Sequence, residues 1–481
     1  MLFIIPDRFR WVFCQLDTLR RCMPSSIFQT LNALPTTLDE TYKRALEGIP
    51  KEKRLHANRL FQCLVAAVRP LRVEELAEIF AIEFNTDAEA RLVAGWRPEN
   101  PEEAVLSTCS SLISVIDDKG SNVVQFSHFS VKEYLISDRL RTSDVGDIRH
   151  YHISLDAAHT VLARACLTVL LQFDRKTDKK GVAALPLAFY AARHWVHHAK
   201  YEGVTPRVQG AMERLFNPSE PYLASWVWIH DVDQDWVPQS IDNLTQYPSP
   251  PKATALYYAV LCGFSELANY LIVTHAEDVS AKCGNRGTPL LAAAFMGHLD
   301  AARVLLDHGA NVHLTKTGKY AVFGTASSQG HVEIMRLLLE HGTNPEILEE
   351  GPLHNASYCG RADDIQLLLH HKANVNSKDS EFRTPLHCAS MVGHVNVVQL
   401  LLEHGAEVNA LTKTHDTPLY LASRHGRFDV VRLLLGHKAD VYVRGQYGLT
   451  PYQIAKLRGH TEVGRLLVEH GADKTRRGWE A

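Results

Sequence analysis

The sequence predicts a mostly α-helical protein. A solenoid of about seven repeated helix pairs spans residues 251–475, preceded by a winged-helix-like domain (54–143) and a helical connector (144–250). Three observations predict it. A glycine-marked unit recurs in register through the second half of the chain. Helix-start signals and a strand–turn–strand pattern alternate between residues 54 and 143. Two long apolar helical stretches lie in residues 144–250. Residues 1–53 are expected to form a helical segment and 476–481 a tail.

Composition narrows the function classes. The 481 residues are 46% apolar and 22% charged, ordinary for a chain that buries cores. A net charge of −3 gives no general attraction to nucleic acid or anionic membrane. No apolar run approaches a membrane span. The start, "MLFIIPDRFRW", meets Pro6 and Asp7 too early for a signal peptide. The nine cysteines form no C-x-x-C pair, which points to reduced thiols and a cytoplasmic location, with the nucleus as the alternative.

In chain order, "TLDETYKRALEGI" opens with a capping box, Thr37 at the cap and Glu40 three residues on. Helices are expected from Arg54 to Val68 and in "RVEELAEIFAI", with "RPL" turning the chain between them. A third begins at "NPEEAVLSTCSSLI", with Asn100 as cap and Pro101 in the first turn. "SVIDDKGSNVVQFSH" then carries two β-rich arms around a turn cluster. Ser130 and Glu133 suggest a capping box for "VKEYLISDRL", with Phe129 and Tyr134 as its hydrophobic staple. Three helices, a hairpin and a helix make a winged helix. "LISVIDDKG" also has the form of a Walker B strand, but that needs a G-x-x-x-x-G-K-[ST] phosphate loop, which the chain lacks. Gly318-Lys319 is followed by Tyr320. Asp117 and Asp118 are therefore turn residues.

The connector contributes "LDAAHTVLARACLTVLLQF" and "LPLAFYAARHWVHHAKY", with Trp195 as a core anchor. His194, His197 and His198 fall at helical spacing, but no further ligand follows at matching spacing, so no metal site is assigned. The aromatic-rich "NPSEPYLASWVWIHDVDQDW" is expected to dock on the solenoid. "YPSPPKA" makes a proline-rich joint.

The repeats show in "TPLLAAAFMGHLDAARVLLDHGANV", "TPLHCASMVGHVNVVQLLLEHGAEVN", "TPLYLASRHGRFDVVRLLLGHKADV" and "TPYQIAKLRGHTEVGRLLVEHGAD". Gly263, Gly297, Gly330, Gly360, Gly393, Gly426 and Gly459 mark the units, at steps of 34, 33, 30, 33, 33 and 33 residues. In each unit a residue such as Thr384 caps a first helix and Pro385 suits its first turn. Gly393 ends that helix in a left-handed conformation. Val397, Val398, Leu400 and Leu401 stripe the second helix. One unit cannot bury its own apolar face, so stacking supplies the core. The pattern closely resembles the ankyrin repeat over residues 252–475. The first unit is degenerate and suits an end cap. The third has Ala321 and Val322 in place of Thr and Pro. The short finger "NPEILEEG" predicts a local kink.

"FRWVFCQLDTLRRC", "LPTTLDETYKRALEGIP", "RPLRVEELAEIFAI" and "FSHFSVKEYL" resemble the region after the NACHT nucleoside-triphosphatase domain in fungal NACHT–ankyrin proteins, relatives of NOD-like receptors in the STAND class. The resemblance covers roughly residues 9–250. It implies a switch in which a NACHT domain binds ATP, the winged helix holds the inactive state and the repeats sense a ligand. The P-loop and Walker B are absent here, so ATPase activity does not carry over.

The expected function is therefore a non-enzymatic protein-binding scaffold or ligand sensor, with no cofactor, no catalytic residues and no metal. The partner is expected at the concave face and fingers of the stack: Phe295, Met296, Tyr358, Glu381, Arg383, Met391, Lys413, Arg424, His425 and Tyr447. Asp416 belongs with these finger slots. Arginine, methionine and aromatic residues are the types enriched at interfaces. One alternative is a fragment of an ATP-driven NACHT switch. A winged-helix DNA-binding regulator ranks lower, because "PEEAVLSTCSSLI" has two glutamates and no basic residue.

Overall fold

The structure is a computed structural model that describes residues 37–84, 90–109, 111–118, 120–142, 148–234, 244–312, 322–342 and 351–472. The chain divides into two compact units, Met1–Pro251 and Lys252–Ala481.

In the first unit, α1 (Leu38–Glu47) starts at Thr37, whose hydroxyl accepts the Glu40 N–H at 3.2 Å. Helices α2 (Arg54–Ala66), α3 (Val73–Phe80) and α4 (Pro101–Cys109) follow, the last capped by the Asn100 side chain on Glu103 N–H. Strands β4 (Ile113–Asp118) and β5 (Ser121–Phe126) form the expected antiparallel hairpin, with Val115 opposite Val124. A third strand, β1 (Leu71–Arg72), pairs on the other edge of β5. "RPL" was expected only to turn; two residues are too few to show strand periodicity. A small ribbon of β2 (Ile82–Glu83) and β3 (Arg91–Leu92) adds a second sheet. At the head of α3 the buried Glu75 carboxylate accepts the Arg72 N–H at 2.8 Å and pairs with Arg69 at 2.6 Å. It caps the helix and holds two guanidiniums at once.

Helix α5 (Phe129–Ile136) starts differently from expectation. His128, not Ser130, is its cap: His128 Nδ1 accepts the Ser130 N–H at 3.1 Å. Ser130 already lies inside the first turn, and its hydroxyl meets Tyr42 Oη at 2.7 Å. Phe129 is 53% exposed, with its ring against His128, so it makes no buried staple. A short α6 (Asp138–Arg141) completes this part.

The connector packs α7 (Leu155–Leu170) on α9 (Ala188–Ala199), with α8 (Lys179–Ala183), α10 (Thr205–Leu215) and α11 (Tyr222–Ile229) around them. Trp195 is fully buried and meets Trp226 edge-on at 5.3 Å. Trp226 donates its indole N–H to the Ala192 carbonyl at 2.9 Å. The aromatic stretch expected to dock on the solenoid thus turns Trp226 into its own unit's core. An indole with one apolar face and one donor is satisfied there.

The second unit stacks paired helices: α12 (Ala255–Leu261) and α13 (Ser265–His275), α14 (Pro289–Met296) and α15 (Leu299–Asp307), α16 (Val322–Gln329) and α17 (Val332–Glu340), α18 (Pro352–Cys359) and α19 (Ala362–His370), α20 (Pro385–Val392) and α21 (Val395–Glu403), α22 (Pro418–Arg424) and α23 (Phe428–Gly436), α24 (Pro451–Leu457) and α25 (Thr461–Glu469). One apolar core runs through them, including Leu256, Leu305, Leu338, Leu401 and Leu467. The kink expected at the short finger, Ala321 and the segments 1–36 and 473–481 lie outside the described residues.

Candidate functional site

The site begins with the residue after each repeat glycine. His298, His331, His394 and His460 each place Nε2 on a carbonyl of the preceding repeat: Leu261, Phe295, Tyr358 and Arg424, at 3.0–3.2 Å. Arg361 and Arg427 take the same role on Ser328, at 2.9 Å, and Met391, at 3.2 Å. Arg361 also bonds the Ser327 carbonyl. Each bond fixes the backbone two residues before a glycine. The side chains of Phe295, Tyr358, Met391 and Arg424 therefore occupy equivalent places on successive first helices.

The fingers share one closure. The N–H five residues before the capping position reaches the carbonyl one residue before it: Asp379 to Arg383, Thr412 to Asp416, Gly445 to Leu449, at 3.0–3.1 Å. That carbonyl also accepts the repeat histidine behind it, His354 on Arg383 at 2.8 Å and His387 on Asp416 at 3.0 Å.

Within this frame the candidate residues separate. Tyr358 is 53% exposed and Tyr447 72% exposed. Met296, Glu381, Lys413 and His425 are also exposed. Phe295 is partly covered by the Arg286 guanidinium, 3.6 Å above its ring. Met391 packs partly against a satellite apolar cluster of Tyr420, Leu421 and Ile454. Arg424 reaches Gln446 Oε1 at 3.0 Å. Lys413 Nζ stands 3.8 Å from Glu381.

Arg383 differs from a free surface slot. Its Nε donates to the nearly buried Asp379 carboxylate at 2.7 Å, and that carboxylate accepts the backbone N–H groups of Glu381 and Arg383. These bonds hold the Asp379 carboxyl below the usual range despite burial, which opposes them. Arg383 therefore braces its finger. Asp416 is likewise structural: it is buried, accepts the Gln446 N–H on Oδ1 and the Thr414 hydroxyl on Oδ2 at 2.8 Å.

Phe382, not among the residues expected from sequence, is a further candidate. It is 51% exposed at a finger tip with φ +59°, a backbone region costly for a bulky side chain. His415 and Tyr447 hold φ +62° and +67° at the next two tips. Lys413 and Lys378 approach the Phe382 ring at 5.5 and 6.0 Å. The signal was available: Gly448, two residues before Thr450, occupies in the last repeat the place Phe382 takes before Thr384. Around His425, burial and the cations Arg424, Arg427 and Arg458 push the imidazole pKa down. That part of the face is basic.

In the first unit a cleft of about 850 Å³ lies between the hairpin and the connector, lined by Arg72, Glu74, Asp117, Asn122, Pro186 and Phe189. Asp117 Oδ1 accepts the Gly120 N–H at 2.7 Å, so its carboxylate closes the hairpin turn. His128 is engaged as a helix cap. No helix among the described residues is long and apolar enough to cross a membrane.

Comparison with known proteins agrees with both units. A model of ankyrin repeats matches residues 234–316, 313–379, 371–445 and 414–478. A model of the GPI inositol-deacylase winged helix domain matches residues 26–146. The azaphilone pigments biosynthesis cluster protein L of Monascus ruber is 29% identical over 315 residues, 62% of this chain and 64% of that protein. The chain thus spans just under two thirds of that relative's length. Human ankyrin repeat and KH domain-containing protein 1 is 47% identical over 62 residues, 13% of this chain and 2% of that protein. Among solved structures, the human ASB11 ankyrin repeat domain aligns with a TM-score of 0.43 and 26% identity, covering 46% of this chain and 100% of that one. The ankyrin matches together run from residue 234 to 478, more than half of the 481 residues, and with the helix pairs and their ladder they place the chain in the ankyrin-repeat family.

Proposed function

We propose that this chain is a non-enzymatic scaffold or ligand sensor that binds a protein partner through the concave face and fingers of repeats four to seven. The partner's epitope combines apolar side chains with acidic ones. The carrying observation is the set of exposed rings at successive finger tips, Phe382, His415 and Tyr447, held in left-handed backbone. Strain kept at an exposed position is a mark of function. Tyr358 and Met391 continue the apolar character on the first helices, and Arg424, Arg427 and Arg458 supply the complementary charge. A cytoplasmic location, with the nucleus as the alternative, belongs to the same proposal.

The test is a partner captured on the full chain and titrated against variants. Phe382→Ala with Tyr447→Ala should weaken binding at least tenfold, about 1.4 kcal/mol. Stability should stay within about 0.5 kcal/mol, because both rings are exposed. Arg424→Glu should weaken binding separately and reduce its salt dependence. Arg383 is left intact in this test because it neutralises Asp379. Equal affinity for wild type and all variants would move the site off this face.

A second reading places the scaffold in fungal NOD-like signalling, as the downstream part of an ATP-driven switch. The winged-helix match supports this reading, and the Monascus relative supports only its fungal context. If this chain holds no nucleotide itself, millimolar Mg-ATP leaves its melting unchanged. A ligand at 100 times its Kd would add about 2.7 kcal/mol. DNA docking through α4 is disfavoured, because the exposed Glu102 and Glu103 on its first turn would repel phosphate.

A further inference from the structure

Three histidine rings meet inside the connector, and we propose that they form a binding site for a divalent transition-metal ion of the zinc type. His159 lies in the first half of α7, and His197 and His198 in the last turn of α9. One ligating nitrogen from each lies within 4.8 Å of the others. His159 Nδ1 and His198 Nδ1 are 2.9 Å apart. Two nitrogens bound at about 2.0–2.1 Å to a tetrahedral ion stand roughly 3.3 Å apart. An opening of a few tenths of an ångström between these two rings lets an ion replace the proton they share, and the His197 nitrogen, within 4.8 Å of both, closes in to complete the set.

Helical spacing in the sequence groups His194 with His197 and His198, a set to which no metal was assigned. His194 instead lies against Tyr190, 4.8 Å between rings, where Arg69, Arg193 and His230 contribute positive charge. Its place is taken by His159, 39 residues before His198.

The surroundings suit a metal ligand set. Burial lowers the pKa of His159 to about 4 and of His198 to about 3, so both rings are neutral at physiological pH and offer lone pairs. His198 Nε2 meets the Tyr190 hydroxyl at 2.8 Å, and Tyr190 Oη accepts the Val68 N–H at 3.3 Å. A metal-binding imidazole commonly has its second nitrogen held in this way. His159 stacks on Tyr201 at 4.0 Å with a 7° tilt, which fixes its ring plane. His197 is exposed, so the cluster has one ligand at the surface. Three imidazoles favour zinc, copper, nickel or cobalt over magnesium or calcium, which prefer oxygen. The proton balance is simple. One Nδ1 carries the shared proton, and when the ion takes its place that ring carries its proton on Nε2.

The experiment uses the full chain, stripped of metal with chelator and titrated with Co²⁺. Wild type should take up about one ion with the visible absorption of tetrahedral cobalt. Zn²⁺ should displace it, and the melting temperature should rise with the metal. His197→Ala, at an exposed position, should leave metal-free melting unchanged and weaken cobalt binding at least tenfold. His370→Ala, an exposed histidine of the repeats, should change neither. Absence of the tetrahedral spectrum in wild type overturns the proposal. So does equal cobalt affinity in wild type and His197→Ala, which would leave His159 and His198 as a metal-free buried pair.

Discussion

His387 shows how one side chain serves two repeats. Its Nδ1 accepts the Thr384 N–H at 3.0 Å and its Nε2 donates to the Asp416 carbonyl at 3.0 Å, which requires the neutral ring. Burial lowers its pKa from 6.5 to about 4, against the smaller opposing effect of the carbonyl bonds. The sign follows from proton binding. Above pH 6.5 neither state holds the proton and the contribution to stability is complete. Between pH 6.5 and about 4 the unfolded ring takes a proton that the folded ring refuses, so stability falls with acid. The limiting slope is about 1.4 kcal/mol per pH unit. His387→Gln should lower stability near neutrality, and its stability should fall less steeply than wild type toward pH 4. Urea unfolding across this range measures both. Parallel slopes would show that His387 is protonated in the folded stack.

At the scale of the element, the ladder explains why glycine recurs where the first helix ends. Gly360 has φ +77°, and a Cβ there would sit 2.6 Å from His394 Nδ1, the ring bonded to the Tyr358 carbonyl. Gly459 has φ +80° with nothing within 4 Å of a Cβ. Gly459→Ala should therefore cost only the left-handed strain, about 1–2 kcal/mol. Gly360→Ala should cost at least about 1 kcal/mol more, because the ladder bond is displaced as well. Denaturant midpoints of the two variants compare them directly. Equal losses would mean that backbone conformation alone selects these glycines. The helix starts were legible in sequence at Thr37 and Asn100, where the cap is local. At His128 the pattern misled: Ser130 already lies inside the first turn of α5, and the imidazole, a less usual cap, accepts its N–H.

At the scale of the molecule, the solenoid core is continuous. Leu401 is fully buried and belongs to the same apolar cluster as residues from every other repeat. Leu401→Ala should cost roughly 2–5 kcal/mol. Hydrogen exchange should rise in α19 and α23 of the neighbouring repeats as well as in α20 and α21, because helix pairs share their faces. Exchange that rises only within residues 384–410 would show that the repeats open one at a time.

The sequence alone determined the repeat register, the helix pairs and the hairpin in place of a Walker B strand. Each rests on periodicity or on residues a few positions apart, which local geometry dictates. Only the tertiary structure decided the rest. Arg383 looked like a free finger residue until its carboxylate partner, Asp379, was seen to be nearly buried. Phe382 became a candidate only when its backbone proved left-handed at an exposed tip. His159 joined His197 and His198 only because α7 packs on α9, which no spacing within one helix can show. The physical reason is common to all three. Secondary structure follows from interactions a few residues apart, whereas exposure, charge pairing and ligand clusters arise from contacts that the chain makes only after it has folded.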